Sequence, residues 1–324
     1  MKAIVFGGAG FIGSHLLKRL AETKRYERLW SVDVAAPRFT VDGVDYVKFD
    51  IREPAPVDLC GEGPFELYNF AAVHTTPGHE DWEYYWTNVR GATNVCRFAE
   101  AVGAERILFT STMMVYGPTE RPKDEDAKLE PVNAYGRSKI LAEGVHRAWQ
   151  EADSDRRRLT IVRPGVIYGL GEKGNFTRLS RMLEKRRFVF PGRVDTIKAC
   201  GYVNDLVSSM LFAQERNEGV FLYNFCHPER YTSADICAAF SQVAGYPKPR
   251  AVAPFWLLAL VAYGFETLSA LGLKNDINRA RIRKLYQSTN MAPKRLPEAG
   301  FSFQYDLVAG LSDWRRASAV ADFD

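Results

Sequence analysis

The sequence predicts an α/β protein: a doubly wound parallel sheet with helices on both faces, followed by a smaller, mostly helical C-terminal lobe. Three observations predict it. Short β-like runs alternate with helical runs through the first half of the chain. Several of those runs are continuously apolar, as strands covered on both faces are. Past about residue 165 the alternation breaks and helical patterns take over. A chain of 324 residues suits one large domain plus a lobe, here 1–165 and 166–324, with some later segments returning to the sheet.

In order, Lys2–Phe6, Arg28–Asp33, Asp45–Phe49, Glu66–Phe70, Arg106–Thr110 and Leu159–Arg163 read as strands, rich in Val, Ile, Phe and Tyr. Phe11–Lys24, Asp81–Val102 and Asn133–Gln150 read as helices between them, so the crossovers are right-handed. In the helix from Asp81, Trp82, Tyr85, Val89, Ala92, Cys96 and Ala99 form one apolar stripe and Val95, Phe98 and Val102 a second. Two stripes imply two partners, the sheet and either another helix of the chain or a second subunit. Beyond residue 165, Gly169–Gly174 and Pro191–Ile197 read as loops and Asn175–Arg186 and Asp205–Gln214 as helices. Short strands follow near Ala199–Val203 and Val220–Phe225, then helices near Ser233–Ala244, Phe255–Leu271, Asn275–Tyr286 and Tyr305–Ser318.

Composition narrows the class. With 46% hydrophobic and 25% charged residues, disorder, collagen and coiled coil are excluded. Lys and Arg number 43 against 39 Asp and Glu, and a net charge of +4 is too mild to demand a nucleic-acid partner. The runs Arg156–Arg158 and Lys185–Arg187 read as solvated helix ends or loops, without aromatic platforms beside them. Cys60, Cys96, Cys200, Cys226 and Cys237 show no C-x-x-C spacing; this argues for neither a disulfide framework nor a metal site and favours a reducing cytoplasm. Met1–Leu17 lacks a small-residue cleavage site and belongs to a strand and glycine turn, not to a signal peptide. Between Arg250 and Lys274 lies a stretch with one charge, Glu266. It reads as a buried or substrate-capping helix, with surface contact to a membrane as the lesser alternative.

Gly7-Gly8-Ala9-Gly10-Phe11-Ile12-Gly13 follows a strand and opens a helix. Gly7 and Gly10 permit a tight turn and close approach of backbone to a pyrophosphate, Gly13 permits close helix–sheet packing, and the helix N-terminus supplies N–H donors. Asp33 ends the second strand, where a carboxylate grips adenosine ribose hydroxyls and repels a 2′-phosphate. NAD is favoured over NADP, although Arg38 lies nearby in the sequence. These are the marks of a Rossmann dinucleotide-binding domain.

Tyr135-Gly136-Arg137-Ser138-Lys139 places a phenol and an ammonium on one helix face. A tyrosine of pKa about 10 is a poor base at neutral pH, and a neighbouring ammonium favours its phenolate. Such a pair can take a proton from an alcohol while hydride leaves the same carbon. Arg106–Thr110 leads into Ser111-Thr112-Met113-Met114-Val115-Tyr116-Gly117, which sets hydroxyls at the C-terminal end of a strand, where Thr112 or Ser111 can bond the substrate oxygen.

With Phe49-Asp50-Ile51, Asn69-Phe70-Ala71-Ala72, Thr87–Gly91, Arg163-Pro164, Tyr168-Gly169 and Tyr202–Leu206 added, the chain resembles the extended short-chain dehydrogenase/reductase family, also called the NAD-dependent epimerase/dehydratase family, over nearly its whole length. The resemblance implies a cofactor set of Gly7, Gly10, Phe11, Ile12, Gly13, Asp33, Asp50, Ile51, Ala71, Ala72, Val73, Thr110, Tyr135, Lys139 and Pro164. Asp50 and Ile51 would border the adenine, and Lys139 would hold the nicotinamide ribose. It implies a catalytic set of Thr112, Tyr135, Lys139 and Asn88, with Thr112 and not Ser111 meeting the substrate. It also implies a homodimer built on the helices Asp81–Val102 and Asn133–Gln150. Dehydratase-type relatives carry Asp-Glu directly after the active-site hydroxyl, and decarboxylase-type relatives a Glu two residues on. Met113 and Met114 stand there instead, as core filling or pocket wall, and disfavour both reactions.

What remains is simple C–OH/C=O redox, by a 4-epimerase or a ketone reductase/dehydrogenase, and the resemblance implies as the leading reading oxidoreduction at C4 of a nucleotide-activated sugar, by a 4-epimerase or 4-keto reductase. His74 and Thr75 beside the cofactor loop, Asn175 at a helix N-terminus, and the cations Arg193, Lys198 and Arg283, with Arg279, are the candidate substrate contacts. Val166 replaces the Asn common in Arg-Pro-x-Asn-x-Tyr-Gly, which with the apolar 255–271 run keeps a hydroxysteroid-type dehydrogenase of a hydrophobic alcohol as the alternative. A silent dinucleotide sensor is a third reading, which the intact Tyr/Lys pair argues against.

Overall fold

The computed structural model describes residues 1–76, 78–254, 286–319 and 322–324. Its elements run β1 (Lys2–Phe6), α1 (Phe11–Thr23), β2 (Arg28–Asp33), β3 (Val44–Lys48), β4 (Phe65–Asn69), α2 (Asp81–Ala101), β5 (Arg106–Thr110), β6 (Thr119–Lys123), α3 (Ala134–Glu151) and β7 (Arg158–Pro164). They continue β8 (Val166–Tyr168), α4 (Asn175–Glu184), β9 (Phe190–Pro191), β10 (Cys200–Tyr202), α5 (Val203–Arg216), β11 (Val220–Phe225), α6 (Ser233–Ala244) and β12 (Val252–Ala253). The last described elements are β13 (Thr289–Met291), the short helix α7 (Arg295–Glu298) and α8 (Leu307–Ala317).

Seven strands form one parallel sheet in the order β11-β7-β5-β4-β1-β2-β3. The predicted doubly wound sheet is present, and its apolar runs are explained by burial on both faces. Ala3 and Val5 belong to the core under α1 and α5, while Ile4 and Phe6 belong to the core under α2 and α3. Residues of opposite parity meet different helices, so the central strands are covered on both faces, while the edge strand β3 exposes Asp45 and Lys48. The second apolar stripe of α2 has an intrachain partner: α2 packs along α3.

Helix starts follow local chemistry. Glu80 and Glu83 form a reciprocal box at α2, Asn133 Oδ1 accepts from Gly136 N (2.8 Å) at α3, and Thr232 and Asp235 box α6. The helix expected over Asn175–Arg186 ends at Glu184, and Arg186 lies in the left-handed region at φ 55°. The helix expected over Asp205–Gln214 extends to Val203–Arg216.

Two strand pairs have no counterpart in the sequence reading: β6 with β13, and β9 with β12. They join segments far apart in the chain; β9, β12 and β13 have only two or three residues, too short to show a period, and β6 is a polar run, Thr-Glu-Arg-Pro-Lys. Strand β11 lies beside β7 at one edge of the main sheet, so a segment of the C-terminal half completes it. The helices expected over 255–271 and 275–286, with Arg279 and Arg283, lie outside the described residues apart from Tyr286.

Candidate active site

The glycine turn between β1 and α1 is held from three sides. Gly7 sits at φ 79°, and a Cβ there would stand 2.5 Å from Ala71 N; a Cβ on Gly13 would stand 2.4 Å from the Gly7 carbonyl oxygen. Backbone thus passes where a side chain cannot, as a cradle for a flat anionic group requires. Asp33 accepts from Ala9 N and from Ala35 N, both at 3.0 Å, so the strand-end carboxylate also fixes the turn. Helix α1 has no side-chain cap and no acidic residue in its first turn, which leaves its positive end open to phosphate. These residues fit a dinucleotide. Phe11 and Ile12 open the helix, half-buried against the core.

Along the same edge, Asp50 is clamped by Arg52 at 2.5 Å, which holds its carboxyl below the usual range. Ile51 is buried, its carbonyl bonded by Asn94 Nδ2 (2.8 Å). Ala71, Ala72 and Val73 form the loop after β4. Asn88 pins that loop from α2: it accepts from Val73 N (2.9 Å) and donates to the Val73 carbonyl (3.0 Å) and to Ser138 Oγ (2.9 Å). The sequence placed Asn88 among the catalytic groups. Its hydrogen bonds join the loop to α3. Thr110 ends β5 with its buried hydroxyl lacking a protein partner, and Pro164 ends β7 opposite Phe225.

Thr112, Tyr135 and Lys139 come together where β5 meets α3. The Thr112 hydroxyl neighbours the Tyr135 phenol and favours its ionised form, and it accepts from Met114 N (3.2 Å). The Tyr84 ring lies 6.1 Å away from the Tyr135 ring. Ser111, the alternative hydroxyl, points elsewhere and donates to Glu143 at 2.5 Å. Burial, chiefly, pushes the Tyr135 phenol up to about 12; the Thr112 bond opposes this and Tyr84 adds to it. Burial pushes Lys139 down to about 7, opposed by Glu143. The Lys139 ammonium lies over the Phe109 ring at 4.4 Å. Burial therefore dominates at both groups, against the expected acidification of the phenol by its ammonium neighbour. At neutral pH the resting tyrosine is a proton-bearing phenol.

Sequence reasoning missed the support beneath this corner. Glu143, one turn past Lys139, pairs with Arg163 through two bonds of 2.8 and 2.6 Å, and Arg163 donates to Tyr116 Oη (2.8 Å), which donates to Asn224 (2.8 Å). The four-residue spacing from Lys139 was the available signal; the strands that supply Ser111 and Arg163 were not predictable partners. The methionines divide: Met113 packs on the core around Val115 and Tyr116, while Met114 is half-buried outside it.

The predicted substrate contacts are placed differently. His74 and Thr75 stand exposed on the loop after Val73. Tyr84 Oη donates to the Thr75 carbonyl (2.6 Å). Asn175 begins α4, but Glu172 already accepts from Thr177 N at that helix end (2.9 Å). Arg193 is committed to Glu120 (2.6 and 2.7 Å) and Ser288 (2.7 Å). Lys198 donates to the Gln287 carbonyl (2.8 Å), and burial lowers it to about 8.

Comparison with known proteins agrees with this geometry. Residues 3–224 match the model of the NAD dependent epimerase/dehydratase family. The chain is 28% identical over 311 residues, 95% of its length and 92% of the other's, to N-acetyl-alpha-D-glucosaminyl-diphospho-ditrans,octacis-undecaprenol 4-epimerase of Escherichia coli O157:H7. It is 28% identical to UDP-glucose 4-epimerase of Lactobacillus helveticus over 54% of each chain. In fold it is similar to MoeE5 in complex with UDP-glucuronic acid and NAD, with a TM-score of 0.76, 20% identity, and coverage of 98% of this chain and 100% of that one. It is also similar to the UDP-glucuronic acid 4-epimerase of Bacillus cereus in complex with UDP-glucuronic acid and NAD, with a TM-score of 0.75, 18% identity, and coverage of 97% and 98%. A dinucleotide cradle, a Thr/Tyr/Lys corner on its sheet edge and a family match spanning both together establish that the chain belongs to the NAD dependent epimerase/dehydratase family, the extended short-chain dehydrogenases/reductases.

Proposed function

We propose that the protein is an NAD-dependent enzyme acting at C4 of a diphosphate-activated sugar, as a 4-epimerase or 4-keto reductase. The Thr112/Tyr135 pairing at the strand ends, with Lys139 one turn along α3, carries the reading. NAD, held by Gly7–Gly13 and Asp33, would supply the acceptor for the hydrogen on C4. The chain's own residues handle the proton. Thr112 and Tyr135 hold the C4 oxygen between them, and Tyr135 is the group that accepts its proton or returns it. Lys139 lowers the cost of the phenolate whenever it is charged. Lys139 is buried and Tyr135 half-buried, which limits the access of water to the reacting carbon. The methionines at 113 and 114 offer no group to eliminate water.

The leading substrate class is a nucleotide sugar. A sugar on a polyprenyl diphosphate is the second, favoured by the relative that matches 95% of this chain, a 4-epimerase named for such a compound. It retains the C4 chemistry and gives Val166 and the apolar 255–271 sequence a greasy substrate, as the hydroxysteroid-type alternative does. NMR of C4 configuration in UDP-, GDP- and dTDP-sugars and in polyprenyl-diphosphate N-acetylglucosamine separates the classes; neither turnover nor binding on any of them overturns the reading.

The homodimer is part of this proposal. Trp82 (63% exposed), Trp86 (43%) and Leu141 (52%) surround a hollow of about 680 Å³ on the outer face of α2 and α3. Such a cluster of large apolar side chains suits a second copy. Light scattering should report a dimer that Trp82→Glu with Trp86→Glu converts to monomer. The five free, buried thiols support a reducing, cytoplasmic setting. No helix among the described residues is long and apolar enough to cross a membrane.

A further inference from the structure

Away from the catalytic corner, the end of α4 and the approach to β12 form one surface of unusual composition. Lys185, Arg186 and Arg187 close α4 and are all exposed, as are Lys248 and Arg250. Strands β9 and β12 run parallel, and Phe190 N bonds the Ala251 carbonyl (2.9 Å), which brings Arg250 alongside the Arg187–Val189 segment. None of these five cations makes an ion pair or side-chain hydrogen bond among the described residues. Glu184 is the exposed acid beside them, and Arg181 nearby is paired with Asp324 (3.3 Å).

Helix-dipole stabilisation explains a cation or two at the end of α4. It does not explain Lys248 and Arg250, which arrive from another segment, nor Arg186 at φ 55°, where glycine would relieve the backbone. Among the cations stand exposed aliphatic side chains: Met182, Val189 and Val252, at 42%, 42% and 45%. Phe188, the aromatic of the patch, is half-buried and engaged edge-on with Phe190 at 5.1 Å, so no free platform is offered to a nucleobase. Cations without an ion pair among the described residues, interleaved with exposed aliphatics, suit a surface that is anionic outside and greasy just beneath, the interface of a bilayer.

We propose that this patch docks the protein on anionic membranes, with Lys185–Arg187, Lys248 and Arg250 meeting the headgroups and Val189 and Val252 entering the interface. The proposal concerns where the enzyme works and does not depend on which diphosphate-linked sugar it converts.

Flotation of the full chain with vesicles of equal parts phosphatidylglycerol and phosphatidylcholine, against phosphatidylcholine alone, tests it. Binding is expected to the anionic vesicles, to weaken with salt, and to fall about a hundredfold in the triple variant Lys185→Gln, Arg186→Gln, Arg187→Gln, from roughly fivefold per charge. Val189→Asp with Val252→Asp should also weaken it, and the triple variant should keep wild-type turnover of a water-soluble sugar substrate. Absence of wild-type flotation, equal flotation with both vesicles, an unaffected triple variant, or preference for duplex DNA over vesicles would each overturn the proposal. Loss of C4 activity on every substrate would overturn the functional reading and leave flotation to be judged separately.

Discussion

Helices α1 and α4 both begin at a glycine without a side-chain cap, Gly10 and Gly174, and the sequence offers each as a phosphate site. At α1 the first turn is free of acids, and the nearest carboxylate, Asp33, is drawn aside to Ala9 N and Ala35 N. At α4 the buried Glu172 folds back onto Thr177 N and Oγ1. The same division runs through the molecule. In the cofactor half, donors are left open for a ligand; in the substrate half, Glu172 and Glu120 already neutralise the groups expected to bind one. A preformed anion site needs its carboxylates held elsewhere. A sugar diphosphate bound in the C-terminal half must therefore displace those acids or use other residues.

The largest expected effect probes the open half. Tyr135→Phe should lower kcat by about a thousandfold, the scale of a lost general acid–base, with NAD affinity by titration unchanged. A loss under tenfold would mean the phenol is a bystander. Next, Glu143→Gln leaves the Arg163 charge buried without its partner and should cost about 3–5 kcal/mol in urea unfolding, whereas replacing both by apolar residues should recover much of it. Equal losses in the single and double variants would deny that the pair acts as a unit.

The third prediction concerns pH. Lys139 titrates near 7 in the fold, below its ordinary 10.5 when unfolded. Between these values the unfolded chain binds the extra proton, so this group makes stability rise with pH from about 7 to 10, by at most about 1.4 kcal/mol per pH unit. Lys139→Met should flatten that rise in a melting series. Lys198, shifted the same way, should leave a residual slope. The smallest effect tests the closed half. Arg193→Ala removes an ion pair with an exposed partner and should cost under about 1 kcal/mol, with KM for the sugar substrate within about twofold. A tenfold rise in KM would make Arg193 a substrate ligand and erase the contrast drawn here.

How much of this was legible in the sequence follows the range of the interactions. The glycine turn, Asp33 and the Tyr135/Lys139 face depend on neighbours a few residues away, and spacing reveals them. Ser111 or Thr112 was undecidable from spacing, because the choice is made by Glu143, 32 positions from Ser111. The engagement of Arg193 by Glu120, 73 positions distant, and by Ser288 was likewise hidden. The electrostatics of Tyr135 and Lys139 failed for another reason. A four-residue spacing gives adjacency on a helix, but desolvation, set by everything packed above, has the larger influence here.

The placement of β11 carries a consequence for biogenesis. The border of the main sheet beside β7 is supplied by residues 220–225, so a ribosome must release some two-thirds of the polypeptide before that border is covered. Until then β7 presents unpaired amides and carbonyls along one side, a template for adhesion between nascent chains. Production at lower temperature or with chaperones at hand should matter most during that interval, and shortened versions ending ahead of Val220 should clump.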